Sequence, residues 1–388
     1  MNEFQKQVSK QEGKEKKVQK QALGKIAKML ERNGIDIDEV GTVSRISLYQ
    51  TVTKNEEGEA EHHDLYGIQI NPAWQDGPQW DVINQSSPIK LVPSKATRKR
   101  SEWDTAVILP DIQMGYFRGT NGALEPTHDE SAINVALAIV KDVKPKQIVM
   151  VGDNLDLPNF GRYRQSPAFA QTTQASIDRA TMLCAQLRSL VPDAEIIWIA
   201  GNHEERLPNY IMDNATAAFG LRQGNKPDSF PVLSVPFLCR FDDYNIKYLA
   251  GYPTGTHWIT ERLRVIHGNK VASNGSTAHK YLASEKTSVI YGHIHRREWA
   301  ERTREDYDGP KTVLAASPGC LSRIDGAVPS TKGSVDLDGR PLTVVEDWQQ
   351  GVAVIPYHQK TGQFVYEQVA IRDGWAMWRG KEYDGSSV

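Results

Sequence analysis

The sequence predicts an α/β fold, preceded by a small β-rich module and a basic N-terminal helix. Two observations carry the prediction. Beyond residue 104, apolar strand patterns alternate with helical ones, as they do where helices cover a sheet. Five apolar runs (107–111, 148–156, 196–203, 263–267 and 289–295) also end in a tight turn and a side chain able to bind a metal. In open α/β sheets, ligands sit beyond the carboxyl ends of the strands. At the second of these ends Gly152 lets the chain turn, so Asp153 and Asp156 lie together. Two carboxylates so placed repel unless a cation or a basic group separates them.

Composition sets the frame. The 388 residues, 39% hydrophobic and 24% charged, leave room for one large domain plus something smaller. A net charge of −2 argues against a uniformly basic nucleic-acid coat but allows local patches. Cys184, Cys239 and Cys320 are widely spaced, odd in number and without CxxC pairing, which fits reduced thiols in a cytoplasmic protein. The charged N-terminus lacks the apolar segment of a signal peptide. No run approaches the roughly 18 apolar residues of a membrane span, so no membrane partner is expected.

Residues 1–33 form a basic leader: positions 1–32 hold nine Lys/Arg against four Glu. Apolar residues at spacings of four predict a helix over about 18–32, with its basic side solvated or against phosphates. Asn33 and Gly34 stop it. The β-rich module, 34–92, has strands at 44–53 and 64–70 joined by an acidic loop, in which His62 and His63 are expected as solvated tip residues. Residues 93–103 read as a basic linker. The main domain follows over 104–379, with 380–388 as a tail.

Within it, strands are predicted at 105–109, 147–151, 195–200, 246–249, 263–266, 288–291 and 312–315. Thr127 and Glu130 fit a capping box opening a helix at 130–141, and His128 inside it reads as a helix-start residue. Further helices are expected at 174–190 and from Arg206. Residues 317–346 read as one long loop. A hairpin, 352–357 with 364–370, closes the domain.

The metal-grade side chains are Asp111, Gln113, Asp153, Asp156, Asn202, His203, His267, His293 and His295. Imidazole and carboxylate without thiolate suit Mn²⁺, Fe or Zn²⁺ rather than Ca²⁺. His257 and His279 fall in the same region, but only His267 ends an apolar strand and precedes glycine.

In these residues the chain resembles the calcineurin-like metallophosphoesterase superfamily. The blocks are Asp111-Ile-Gln113, Gly152-Asp-Asn-Leu-Asp156, Gly201-Asn-His-Glu204, His267-Gly268 and Gly292-His-Ile-His295. The resemblance spans roughly 104–320 and extends to a phage-encoded branch with repair nucleases and phosphodiesterases. It implies a four-layer α/β/β/α sandwich and two divalent metal ions, Mn²⁺ foremost, with Mg²⁺, Fe or Zn²⁺ as alternatives. Asp153 would bridge the ions, Asp111 and His295 completing the first site and Asn202, His267 and His293 the second. His203 would protonate the leaving oxygen, with Asp156 orienting it, while water activated between the ions attacks phosphorus. Gln113 departs from the family pattern, which has His there; its harder carbonyl oxygen implies a weaker first site that favours Mn²⁺ or Mg²⁺.

Arg162, Arg164, Arg206, Arg296 and Arg323 are candidate phosphate-binding residues. Leu157 and Pro158 stand where protein Ser/Thr phosphatases of the superfamily have Arg-Gly. Pro318-Gly319 resembles a turn of the phosphodiesterase branches. The expected activity is a metal-dependent phosphodiesterase, a nuclease on DNA or RNA, in the host cytoplasm if phage-encoded. A phosphomonoesterase and a non-catalytic nucleic-acid-binding protein remain the alternatives.

Overall fold

The computed structural model describes residues 42–55, 57–71, 102–162, 166–228, 230–329 and 345–387, with positions 24, 25, 27, 28, 31, 32, 334–336, 340 and 342. Most of the basic leader, linker positions 93–101 and Arg164 lie outside the described residues. The chain divides into two compact units, Met1–Pro88 and Ile89–Val388.

In the first unit, β1 (Thr42–Lys54) and β2 (Ala60–Asn71) form an antiparallel hairpin. Asn55 closes its turn, its side-chain oxygen accepting from the main-chain N–H of Glu57 and Glu59 at 3.1 and 2.8 Å. His62 and His63 are not at the tip, as the sequence suggested. They pair opposite Val52 and Thr51 within the strands, and His63 Nε2 lies 2.7 Å from Thr53 Oγ1.

The second unit is a mixed α/β structure built on two main sheets. The first has six strands. Its parallel part is β3 (Trp103–Leu109), β6 (Gln147–Met150), β7 (Glu195–Ile199) and β8 (Ile246–Leu249). The antiparallel strands β14 (Gly351–His358) and β15 (Glu367–Ala370) extend it beyond β3. The second has five strands in the order β12 (Arg297–Asp306), β13 (Gly309–Pro318), β11 (Ser288–Tyr291), β10 (Leu263–Ile266) and β9 (Thr256–Thr260). The small hairpin β4 (Tyr116–Arg118) and β5 (Leu124–Pro126) lies between β3 and the first helix in the chain.

Strand alternation explains why these short runs are apolar throughout: both faces are buried. Val107, Leu109, Ile148, Met150, Ile196 and Trp198 point to helices α1 (Glu130–Val143) and α2 (Thr173–Leu190). Their neighbours Ala106, Ile108, Val149, Val151, Ile197 and Ile199 pack with Leu263, Val265 and Ile290 of the other sheet. On that sheet's far side, Val289 and Tyr291 pack with Ala278, Tyr281 and Leu282 of α5 (Thr277–Ser284). The shorter helices α3 (Arg206–Asn214) and α4 (Val235–Leu238) join the first core through Leu207, Ile211 and Val235.

Two expectations need correction. Helix α1 is capped by Asp129, which accepts from Ala132 N, rather than by Thr127, whose hydroxyl donates to the Gln113 carbonyl at 3.0 Å. The expected tail, 380–388, holds β17 (Lys381–Asp384), paired with β16 (Trp375–Trp378). There Tyr383 is buried, and its hydroxyl donates to Asp142 at 2.8 Å. All three cysteines are free and buried. Among the described residues no helix is long and apolar enough to cross a membrane.

Candidate metal centre

The strand ends converge. Asp111 follows β3, Asp153 and Asp156 follow β6, and Asn202 and His203 follow β7. His267 follows β10, while His293 and His295 follow β11. Two groups of potential ligand atoms result: Asp153, His267 and His293, and Asp111, Asp153 and His295, each with its atoms within 4.8 Å of one another. Asp153 belongs to both.

The backbone bends sharply to make this possible. Asp111, Gln113, Asp153, His293 and His295 all have positive φ, between 36° and 71°. Non-glycine residues rarely adopt that region, at a cost of about 1–3 kcal/mol each, and such strain gathers at functional sites. Gly152 and Gly201 are required for another reason: a Cβ on Gly201 would collide with Asp153 Oδ1, and one on Gly152 would lie 2.7 Å from His267 Nδ1.

Proton positions sharpen the chemistry. His267 Nδ1 lies 2.9 Å from the Val151 carbonyl, so it carries the hydrogen. Its Nε2 then faces Asn202 Oδ1 at 3.1 Å and Asp153 Oδ2 at 3.3 Å, a lone pair against two oxygens. A proton or a cation must sit between them. Burial disfavours the proton, but the Asp153 carboxylate outweighs burial and lifts the imidazole to about 9. His293 Nδ1 meets the same Asn202 oxygen at 2.9 Å, and burial beside His267 pushes it down to about 4, leaving a neutral donor. Burial also opposes the charge on Asp153, yet His203 and His267 hold it well below the usual carboxylate range.

The donors fit a metal. His295 Nε2 stands 3.3 Å from Asp111 Oδ1, and the Gln113 amide lies 3.4 Å from that nitrogen and 3.5 Å from Asp153 Oδ2. Asp111 Oδ2, Gln113 Oε1 and Asp156 Oδ2 are buried without a hydrogen-bond partner among the described residues. Each such atom costs about 1–3 kcal/mol, which coordination would relieve.

His203 lies beside the cluster, with its main-chain N–H bonded to Asp153 Oδ1 at 2.9 Å. Its Nδ1 is 3.0 Å from Asp156 Oδ1, and Arg206 Nη2 is 2.8 Å from its Nε2. Arg206 is therefore at the site. Arg323 is held by Asp325 and the Pro126 carbonyl, and Arg296 by the Ala272 carbonyl and Thr277; neither is bonded to the cluster among the described residues. Arg162 is exposed. His257 bonds to Gln147, His279 is exposed on α5, and His128 is buried against Glu130.

Two residues escaped the sequence reading. Glu204 accepts hydrogen bonds from the main-chain N–H of Asp153, Asn154, Leu155 and Gly201 and from the Trp198 indole. It ties the Asp153 turn to the Asn202 turn; as part of Gly201-Asn-His-Glu204 it was visible only as the end of a block. Trp348 packs edge-on against His295, with ring centroids 4.1 Å apart, and no sequence pattern marks it.

No protein-family model matches the chain. In sequence it is similar to the Gene 54 protein of Mycobacterium phage D29, 27% identical over 198 residues, covering 49% of this chain and 72% of that one. The Gene 54 protein of Mycobacterium phage L5 is 24% identical over 238 residues, covering 59% and 84% respectively. Among solved structures, the purple acid phosphatase PPD1 from yellow lupin (Lupinus luteus) seeds gives a TM-score of 0.29 at 11% identity. That likeness covers 83% of this chain and 59% of the lupin chain. The chain is thus similar to phage-encoded proteins and holds a buried carboxylate–imidazole cluster in which one aspartate is common to two groups of ligand atoms.

Proposed function

We propose that the protein is a metal-dependent phosphodiesterase of the calcineurin-like type, a nuclease acting on DNA or RNA in the host cytoplasm of a phage. The observation that supports it most is the membership of Asp153 in both ligand groups. A carboxylate common to two groups of donors is what would let this chain hold two cations side by side. The succession of packed faces, helices on a six-stranded sheet on a five-stranded sheet on a helix, is in keeping with the four-layer sandwich of that type.

In this reading Asp153 would serve both cations, Asp111, Gln113 and His295 would hold the first, and Asn202, His267 and His293 would hold the second. Two divalent ions, foremost Mn²⁺, would supply positive charge to the phosphate and acidify water there. Asp156 keeps the His203 ring turned to the cluster, and His203 gives a proton to the leaving oxygen. Arg206 meets the phosphate edge. Leu157 is buried and Pro158 opens a 3₁₀ turn where protein Ser/Thr phosphatases of the superfamily have Arg-Gly, which speaks against that class.

Purified protein with Mn²⁺ should hydrolyse a bis-aryl phosphate and labelled DNA. Hydrolysis of a monoester dye alone would make it a phosphatase. No turnover with any metal, alongside retained DNA binding, would make it a binding protein.

A further inference from the structure

Trp348 is a large apolar side chain that stays only partly buried beside a candidate metal ligand. It belongs to none of the four hydrophobic clusters, whereas Trp198 is fully buried in the first of them. Core packing therefore does not account for its position. Its contact with His295 is edge-on, the planes 66° apart, so the imidazole does not cover an indole face by stacking.

The backbone that carries the indole is also held in place. Trp348 N donates to the Glu346 carbonyl at 2.8 Å, and Gln349 N donates to the carbonyl of His295 itself at 2.9 Å. Cys320 N donates to the Gln349 carbonyl at 3.1 Å, and the Arg297 main-chain N–H donates to Gln349 Oε1 at 3.2 Å. A ring carried on so anchored a backbone binds with less loss of chain freedom. Its contact with His295 places it beside the Asp111, Asp153 and His295 group of ligand atoms. Flat aromatic side chains beside a phosphate site stack on bases with little regard to sequence, because every base has a π-face.

We propose that Trp348 is a stacking platform for the nucleobase next to the phosphodiester held at the Asp153 cluster. This rests on the diesterase reading, and it narrows the substrate to base-bearing single strands, since paired bases are already stacked.

The test is binding of a short labelled single strand, by fluorescence anisotropy, to His203→Ala protein with Mn²⁺, a background that spares the strand. A strand of equal length and charge without bases is the comparison. The base-bearing strand should bind on the order of 5- to 100-fold tighter. Adding Trp348→Ala should bring that ratio near one, and Trp348→Phe should keep most of it, with thermal melting showing both variants folded. A ratio that survives Trp348→Ala overturns the proposal. So does equal weakening of both strands, which would mean that the indole only supports His295, and so does failure of both strands to bind. If the ratio follows Trp348 but the unmutated enzyme hydrolyses no diester, the platform stands and the hydrolytic reading falls.

Discussion

The Arg206 guanidinium donates to His203 Nε2 at 2.8 Å while its other nitrogen donates to the Asp156 carbonyl at 2.6 Å. Arginine has no acceptor, so with no substrate bound Nε2 accepts from the guanidinium, and it is the nitrogen that can take up a proton and pass it to the leaving oxygen, while Nδ1 lies 3.0 Å from Asp156 Oδ1. One arginine thereby sets the direction of the ring. Arg206→Ala should lower kcat/KM for a diester by about 10- to 1,000-fold, within the range of a misplaced general acid. In a His203→Ala background the same change should cost little, because the two act as a unit. Additive losses in the steady-state rates would separate Arg206 from His203.

Gln113 offers its amide to Asp153 and His295 at 3.5 and 3.4 Å, and its other amide atom is buried without a partner. A half-turn of the amide exchanges nitrogen for oxygen at no change in shape. Gln113→His should lower the Mn²⁺ concentration for half-maximal activity by on the order of tenfold, the scale seen when a metal site gains or loses support. An unchanged titration would remove Gln113 from the first site.

Glu204 satisfies four main-chain donors at once. Leaving buried donors unpaired costs about 1–3 kcal/mol apiece, so Glu204→Ala should lose at least roughly 3 kcal/mol, read as a lower urea midpoint. A loss within about 0.5 kcal/mol, the scatter of ordinary surface changes, would mean that the two turns hold without it.

Glu130 gives a pH dependence away from the cluster. Burial raises its carboxyl, but the two-pronged contact with Arg179, both distances 2.7 Å, and the His128 contact outweigh that and hold it below the ordinary 4.5. A depressed carboxylate adds stability that is complete above its unfolded value and is lost as pH falls toward the folded one. Melting temperature should therefore drop on acidification below about 4.5, and Glu130→Gln should flatten part of that fall. An identical slope in the variant would contradict the assignment.

The sequence exposed what rests on local pattern. The runs ending at Asp111, Asp153, Asn202, His267 and His293 are apolar on both faces and end at a turn, and they form the strands that deliver the cluster. It hid what rests on convergence. Glu204 meets a turn fifty residues away, and Trp348 reaches His295 from an irregular stretch. It also hid β12, in which seven of ten residues are charged, a composition that protects a sheet edge but erases alternation. Thr127 and Asp129 are both good caps, and only the fold, which turns the Thr127 hydroxyl to Gln113, chooses between them.

The most direct measurement is metal stoichiometry by calorimetric Mn²⁺ titration of the unmutated protein and of Asp153→Asn, checked by elemental content. The unmutated chain should bind two ions; the variant should lose tight binding of both, while Asn202→Ala and His295→Ala each lose one. An Asp153→Asn protein that keeps one tightly bound ion would show that this aspartate does not join the two sites.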